Sequence, residues 1–289
     1  MSHARPIDHC VLPTADIAVA RARLTALGFS VAPDALHPFG TANCCVFFDG
    51  GTYLEPLAVA DPARAAAASG GGNVFTARDA SFRSRMGEEG FSGLVFGTND
   101  AAADHRDFMG SGISAGGMLT FSRPFVDASG HEAVASFKLA FAADPRSPEA
   151  FFLTCERVNA PAGDRSALQS HANGVRRIKA VVLEAADPSD FGEFLKRIAG
   201  VAPIGMPDGL CFRMTNGDIL VRRCPESGLD QGLRLVDIVF GVDDIRQLAT
   251  LLTAAAIAFD EDAGRITVAP AAGQGAAFVF DGPGVVRTG

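Results

Sequence analysis

The chain has 289 residues, 48% hydrophobic and 20% charged, enough apolar material for one large or two modest globular domains. Its net charge of −8, with no Lys/Arg-rich stripe, speaks against nucleic-acid and anionic-membrane partners. The longest apolar run (248–259) is far short of the about 20 residues that span a bilayer, the N-terminus shows no signal pattern and the six cysteines form no C-x-x-C pair, so a cytoplasmic location is expected.

Residues 7–28, IDHCVLPTADIAVARARLTALG, read as a short apolar strand, an Asp-containing turn, an amphipathic helix and a closing glycine. Residues 46–56, VFFDGGTYLEP, add a strand, a Gly-containing tight turn and a second strand. The Ala/Gly-rich ADPARAAAASGGG (60–72) then reads as a surface loop leading into a short helix. Strand, Asp-rich turn and helix return at 92–113, followed by strands in FSRPFVDASG (121–130), HEAVASFKLAFA (131–142) and EAFFLTCER (149–157). The loop 159–174 divides the chain into an N-terminal domain over 1–160 and a C-terminal domain over 171–289. Beyond it, 178–200 repeats 7–28, FRMTNGDILVR (212–222) repeats 46–56 without a gap, and 236–257 repeats 92–113. At matched positions the first copy carries His9 and Glu55 where the later copy carries Ala180 and Val221. The fold therefore does not require polar groups there, and the first half is the candidate working half.

A tandem β-α-β-β-β unit that opens with IDHCVL (7–12) and closes with TYLEPLAV (52–59) resembles the vicinal oxygen chelate superfamily of glyoxalases, bleomycin-resistance proteins and extradiol dioxygenases. HPFGTANCCVFF (37–48), TFSRPFVDASG (120–130), AFFLTCER (150–157) and HANG (171–174) bring it closer to the bacterial glyoxalase-like domain proteins. The resemblance implies an α+β fold of four tandem units in two halves, each half a curved mixed sheet flanked by helices. It also implies a cleft holding a divalent metal, with ligands on the first and last strands of each unit. Position by position, that places ligands at His9 and Glu55, leaves Gly93 as a non-ligand, and puts the family's carboxylate, a possible third ligand, at Thr154 or, two residues on, at Glu156.

The chemistry follows from the residue types. Strand alternation puts His9 on a face with Ile7 and Val11, and Glu55 on a face with Tyr53 and Leu57. A His with carboxylates suits Zn, Fe, Mn or Ni acting as a Lewis acid on adjacent substrate oxygens; a core histidine and a paired carboxylate are the plainer alternative. Glu156 reads as a third ligand or general base, or as an ion pair with Arg157. Tyr53 reads as a catalytic hydrogen-bond donor or an interior tyrosine. Arg123 is suited to gripping a carboxylate, or to a sheet-edge salt bridge. His37, Asn43 and His171 lie in loop or strand-start motifs where substrate contacts gather, or where turns are fixed. The expected function is a metal-dependent lyase, isomerase or dioxygenase acting on a small oxygenated molecule. The alternative is a metal-free binding or sequestering protein of the bleomycin-resistance type. Either takes a small-molecule partner and allows a homodimer.

Overall fold

The computed structural model describes residues 4–126, 132–159, 166–225 and 232–283. The DASG turn (127–130), His131 and residues 160–165 of the dividing loop lie outside the described residues. Unit one comprises β1 (Ile7–Pro13), α1 (Ile17–Ala26), β2 (Ala35–Leu36), β3 (Thr41–Asn43), β4 (Val46–Phe47) and β5 (Tyr53–Val59). Helices α2 (Pro62–Gly70) and α3 (Val74–Met86) connect it to unit two: β6 (Gly93–Thr98), α4 (Ala101–Gly110), β7 (Leu119–Val126), β8 (Glu132–Ala142) and β9 (Phe151–Asn159). After the short α5 (Ser166–Gln169), unit three holds β10 (Val175–Ala185), α6 (Gly192–Ala199), β11 (Ile204–Met206), β12 (Gly209–Arg213) and β13 (Asp218–Arg223). Unit four holds β14 (Arg234–Val242), α7 (Ile245–Ala254), β15 (Asp260–Asp262), β16 (Arg265–Val268) and β17 (Ala277–Asp281).

The four-unit, two-half arrangement follows the repeat. In every unit the first strand runs parallel to the last: β1 with β5, β6 with β9, β10 with β13 and β14 with β17. Units then join in pairs through antiparallel contacts of their first strands, β1 with β6 and β10 with β14, giving one mixed sheet per half. The helix starts are set by Asp side chains. Asp16, Asp100 and Asp244 accept hydrogen bonds from the opening N–H groups of α1, α4 and α7, and Asp187 does so for the turn before α6.

The helix-bearing faces of both sheets bury a shared core. Leu24, Phe108, Ile198 and Leu248 from the helices meet Leu54, Phe96, Phe152 and Phe240 from the strands. Phe29, just after α1, packs on Phe48 of its own half and on Phe240, Phe278 and Phe280 of the other. Phe dominates because two aromatic-lined sheets can fill the space between them without buried hydroxyl or indole groups needing partners. The opposite face of the first sheet carries a smaller cluster, in which Val11, Leu57, Val95 and Leu153 meet Phe39 and, from α3, Phe75. That face lines the cleft.

Two expectations need correction. The Ala-rich segment is helix α2, not a loop: Asp61 caps it, Pro62 opens it, and alanine is the best helix former. The hairpin repeat is also offset by one residue. Five residues (48–52) separate the paired Phe47 and Tyr53, whereas four (214–217) separate Arg213 and Asp218. A slip of one reverses the face. Val221 therefore points into the shared core, and Leu220, paired with Val182 on the other face, takes the position of Glu55.

Candidate functional site

Pairing of β1 with β5 sets His9 against Tyr53 and Val11 against Glu55, so His9, Tyr53 and Glu55 share the cleft face. His9 Nε2 lies 3.3 Å from Glu55 Oε2, and the imidazole stacks on the Tyr53 ring at 4.4 Å. The β2–β3 hairpin delivers two further polar groups. Asn43 donates to Glu55 Oε1 at 2.6 Å, and His37 places Nε2 3.7 Å from the same oxygen while its Nδ1 bonds Thr41 Oγ1 at 2.8 Å. The sheet curves until its edges meet: the Phe121 ring on β7 packs edge-on against His37 at 5.7 Å. Arg123, on the same strand, lines the mouth with its guanidinium over Phe137.

Asp8 and Arg157 are site residues that strand parity hides. The register of β1 against β6 slips between Ile7 and His9, and the Asp8 carboxylate accepts from His9 Nδ1 at 2.6 Å instead of turning to the opposite face. Arg157 closes the chain, its Nη2 2.8 Å from Asp8 Oδ2 and its guanidinium 5.5 Å over Tyr53. The result is a run of alternating charge, half-buried at Arg157 and buried at Asp8, His9 and Glu55.

Burial works against charge on His9, yet the hydrogen bonds to Asp8 and Glu55 outweigh it and raise its pKa above the ordinary 6.5. Burial would raise Glu55, but the His9 hydrogen bond and nearby charge bring it down to about 2. Asp8 is likewise lowered, its desolvation outweighed by His9 and Arg157. His37 goes the other way. Burial pushes it down to about 4, and attraction to Glu55, whose facing oxygen already accepts from Asn43, does not compensate. Tyr53 is driven well above 10 by burial and remains a neutral phenol. One cleft thus holds, on either side of one carboxylate, a histidine whose charged form is favoured and one whose charged form is disfavoured.

Glu156 is not brought to this cluster. On β9 it is Cys155 that faces the cleft, while the Glu156 carboxylate on the other face accepts from Ala101 N–H at the start of α4 and pairs with Lys138 at 3.2 Å. Thr154 lies on that same helix-bearing face, fully buried away from the cleft. His171 is also elsewhere. Its Nδ1 accepts from Ser30 N–H and its Nε2 donates to Phe47 O, each at 3.0 Å, fastening α5's loop to unit one.

Counting back seven residues from the capping Asp16, Asp100, Asp187 and Asp244 gives the first-strand equivalents His9, Gly93, Ala180 and Asp237. Register gives the matching last-strand residues Glu55, Leu153, Leu220 and Val279. Only unit one supplies both donors. In unit two a Cβ at Gly93 would meet the Phe151 ring at 2.9 Å, so apolar packing fills that position. Among the described residues no three His, Cys, Asp or Glu side chains converge as a metal site. The set His9, Glu55 and Glu156 does not fit a resident divalent ion.

Residues 7–199 match the glyoxalase-like domain family. The chain also superposes on a hypothetical protein from Staphylococcus aureus with a TM-score of 0.64 and 11% identity, covering 96% of this chain and 98% of that one. A variant of 4-hydroxymandelate synthase from Streptomyces coelicolor follows at 0.58 and 14%, covering 99% and 94%. An Mn(II)-bound glyoxalase from Novosphingobium aromaticivorans gives 0.53 and 13%, covering 98% and 83%. At these identities the structural likeness establishes the fold. No curated protein matches the sequence. No helix among the described residues is long and apolar enough to cross a membrane.

Proposed function

We propose, from the premise that the chain belongs to the glyoxalase-like domain family of the vicinal oxygen chelate superfamily, that it is a lyase or isomerase moving protons on a small oxygenated molecule without a resident metal. One observation carries this reading: two histidines flank a single carboxylate, His9 clamped between Asp8 and Glu55 and His37 tied to the neutral Thr41. Acid and base groups with separated pKa values in one cleft are what general acid–base catalysis needs. His9 supplies the proton from Nε2 to a substrate oxygen, and His37 Nε2 receives one from the neighbouring carbon or hydroxyl. Tyr53 donates a hydrogen bond as a neutral phenol, Asn43 orients Glu55 and His37, and Arg123 binds negative charge. The N-terminal half (1–160) does this work, and the C-terminal half (171–289) serves as scaffold.

Solvent-deuterium incorporation tests the reading. Chelator-treated protein is incubated in heavy water with a panel of small 2-oxo and 2-hydroxy carboxylates, and exchange at the carbon beside the carbonyl is followed by NMR. Exchange with at least one compound is expected, falling about 100-fold or more in His37→Gln, as for loss of a general base. Exchange that requires added Zn, Fe, Mn or Ni would restore the metal-dependent reading. Binding with no exchange anywhere in the panel would favour a sequestering protein.

A further inference from the structure

His37 and Arg123 are the two side chains that line both of two neighbouring cavities. The inner cavity, between His9, Glu55 and the phenylalanines, holds roughly 30 Å³, room for a water-sized group. The outer one holds roughly 450 Å³ and is walled by Leu36, Pro38 and Pro124, with Arg64 of α2 at its rim. A whole substrate does not fit inside; one reacting oxygen does. The cations nearby are not equivalent. Arg157 is paired with Asp8 and Arg64 with Asp61, whereas among the described residues no carboxylate pairs with the half-buried Arg123.

We infer that the substrate is a small monoanion whose apolar body lies in the outer cavity, whose carboxylate docks on Arg123, and whose adjacent oxygen enters the inner cavity between His9 and His37. This rests on the proton-transfer reading of the cleft. Docking also has a consequence for the base. The charged groups facing His37 are Glu55 from β5, His9 from β1 and Arg123 from β7, with the Asp61–Arg64 pair of α2 beyond. After burial, which is the largest influence, the Arg123 charge is one of the groups that hold His37 neutral. A carboxylate on Arg123 neutralises that charge, so substrate binding itself raises the basicity of His37.

Phenylacetate and phenylacetamide, equal in shape and different in charge, are the probes. Full-length protein is titrated with each, and the His37 ring resonances are followed against pH. Phenylacetate is expected to bind at least about 10-fold more tightly, the scale of one charge-assisted contact, and to move the His37 midpoint upward. Arg123→Gln should abolish both effects, and Arg64→Gln should keep them. Equal binding of the two probes, or an unchanged preference in Arg123→Gln, would overturn the inference. Charge-selective docking on Arg123 with no deuterium exchange in any substrate would support the docking and overturn only the proton-transfer reading.

Discussion

Replacing Glu55 by Leu is expected to destabilise the protein by about 3–5 kcal/mol, because it leaves the buried His9, whose charged form Asp8 and Glu55 favour, without one of its two carboxylate partners. His9→Ala should cost a similar amount, since Asp8 and Glu55 then share a buried site with no cation between them. The double variant His9→Ala/Glu55→Leu should be more stable than either single one. It reproduces the Ala180 and Leu220 pattern of unit three, and Asp8 keeps its pairing with Arg157. Removing both members of a buried pair is far milder than removing one. Urea unfolding of the four proteins gives the coupling directly. Additive costs, or single variants within about 0.5 kcal/mol of wild type, would mean that the ion chain is not a unit.

The two histidines also set a pH signature with a maximum near 6.5. His37 has a folded pKa of about 4 against an ordinary 6.5, so the unfolded chain binds a proton that the folded one refuses. Stability should therefore fall from pH 6.5 to 4, by up to about 3 kcal/mol. Glu55, lowered from 4.5 to about 2, and Asp8, lowered from 3.8, add further losses as pH falls below their ordinary values. His9 acts on the alkaline side. Its raised pKa gives a contribution fully present below pH 6.5 and lost as pH rises through the folded value. Thermal melts from pH 4 to 9 should show the dome in wild type and a shallower acid limb in His37→Gln. Identical acid limbs would contradict the placement of a neutral His37.

The repeat made the fold legible, because strand, Asp cap and helix recur with the same spacing in all four units. His9 and Glu55 were legible for the same reason: the matched positions of unit three, Ala180 and Leu220, are apolar. What failed depended on single-residue register. A turn longer by one residue moved the match from Leu220 to Val221, and parity on β9 placed Glu156 on the wrong face. The bulge at Asp8 broke the alternation that would have sent its carboxylate away from His9. Arg157 adjoins Glu156 in the sequence, whereas its side chain reaches across to Asp8. The HPFGTAN hairpin marks His37 and Asn43, but only the curvature that brings β7 to β2 explains why His37 faces a cavity. His171 and the Ala-rich α2 show the converse limit: motif and composition located them without saying what they contact.

Asp8 and Glu55 together favour charge on His9, while His37, beside the same Glu55, stays neutral, a pairing of states that needs no metal ion between them. Ring-nitrogen NMR of His9 and His37 in chelator-treated protein, from pH 3 to 9, reads this directly. His9 should remain an imidazolium above pH 6.5, His37 should stay neutral down to about 4, and one equivalent of Zn or Mn should leave both unchanged. Both rings titrating together near 6.5, or both losing their protons to a stoichiometric metal ion, would contradict it.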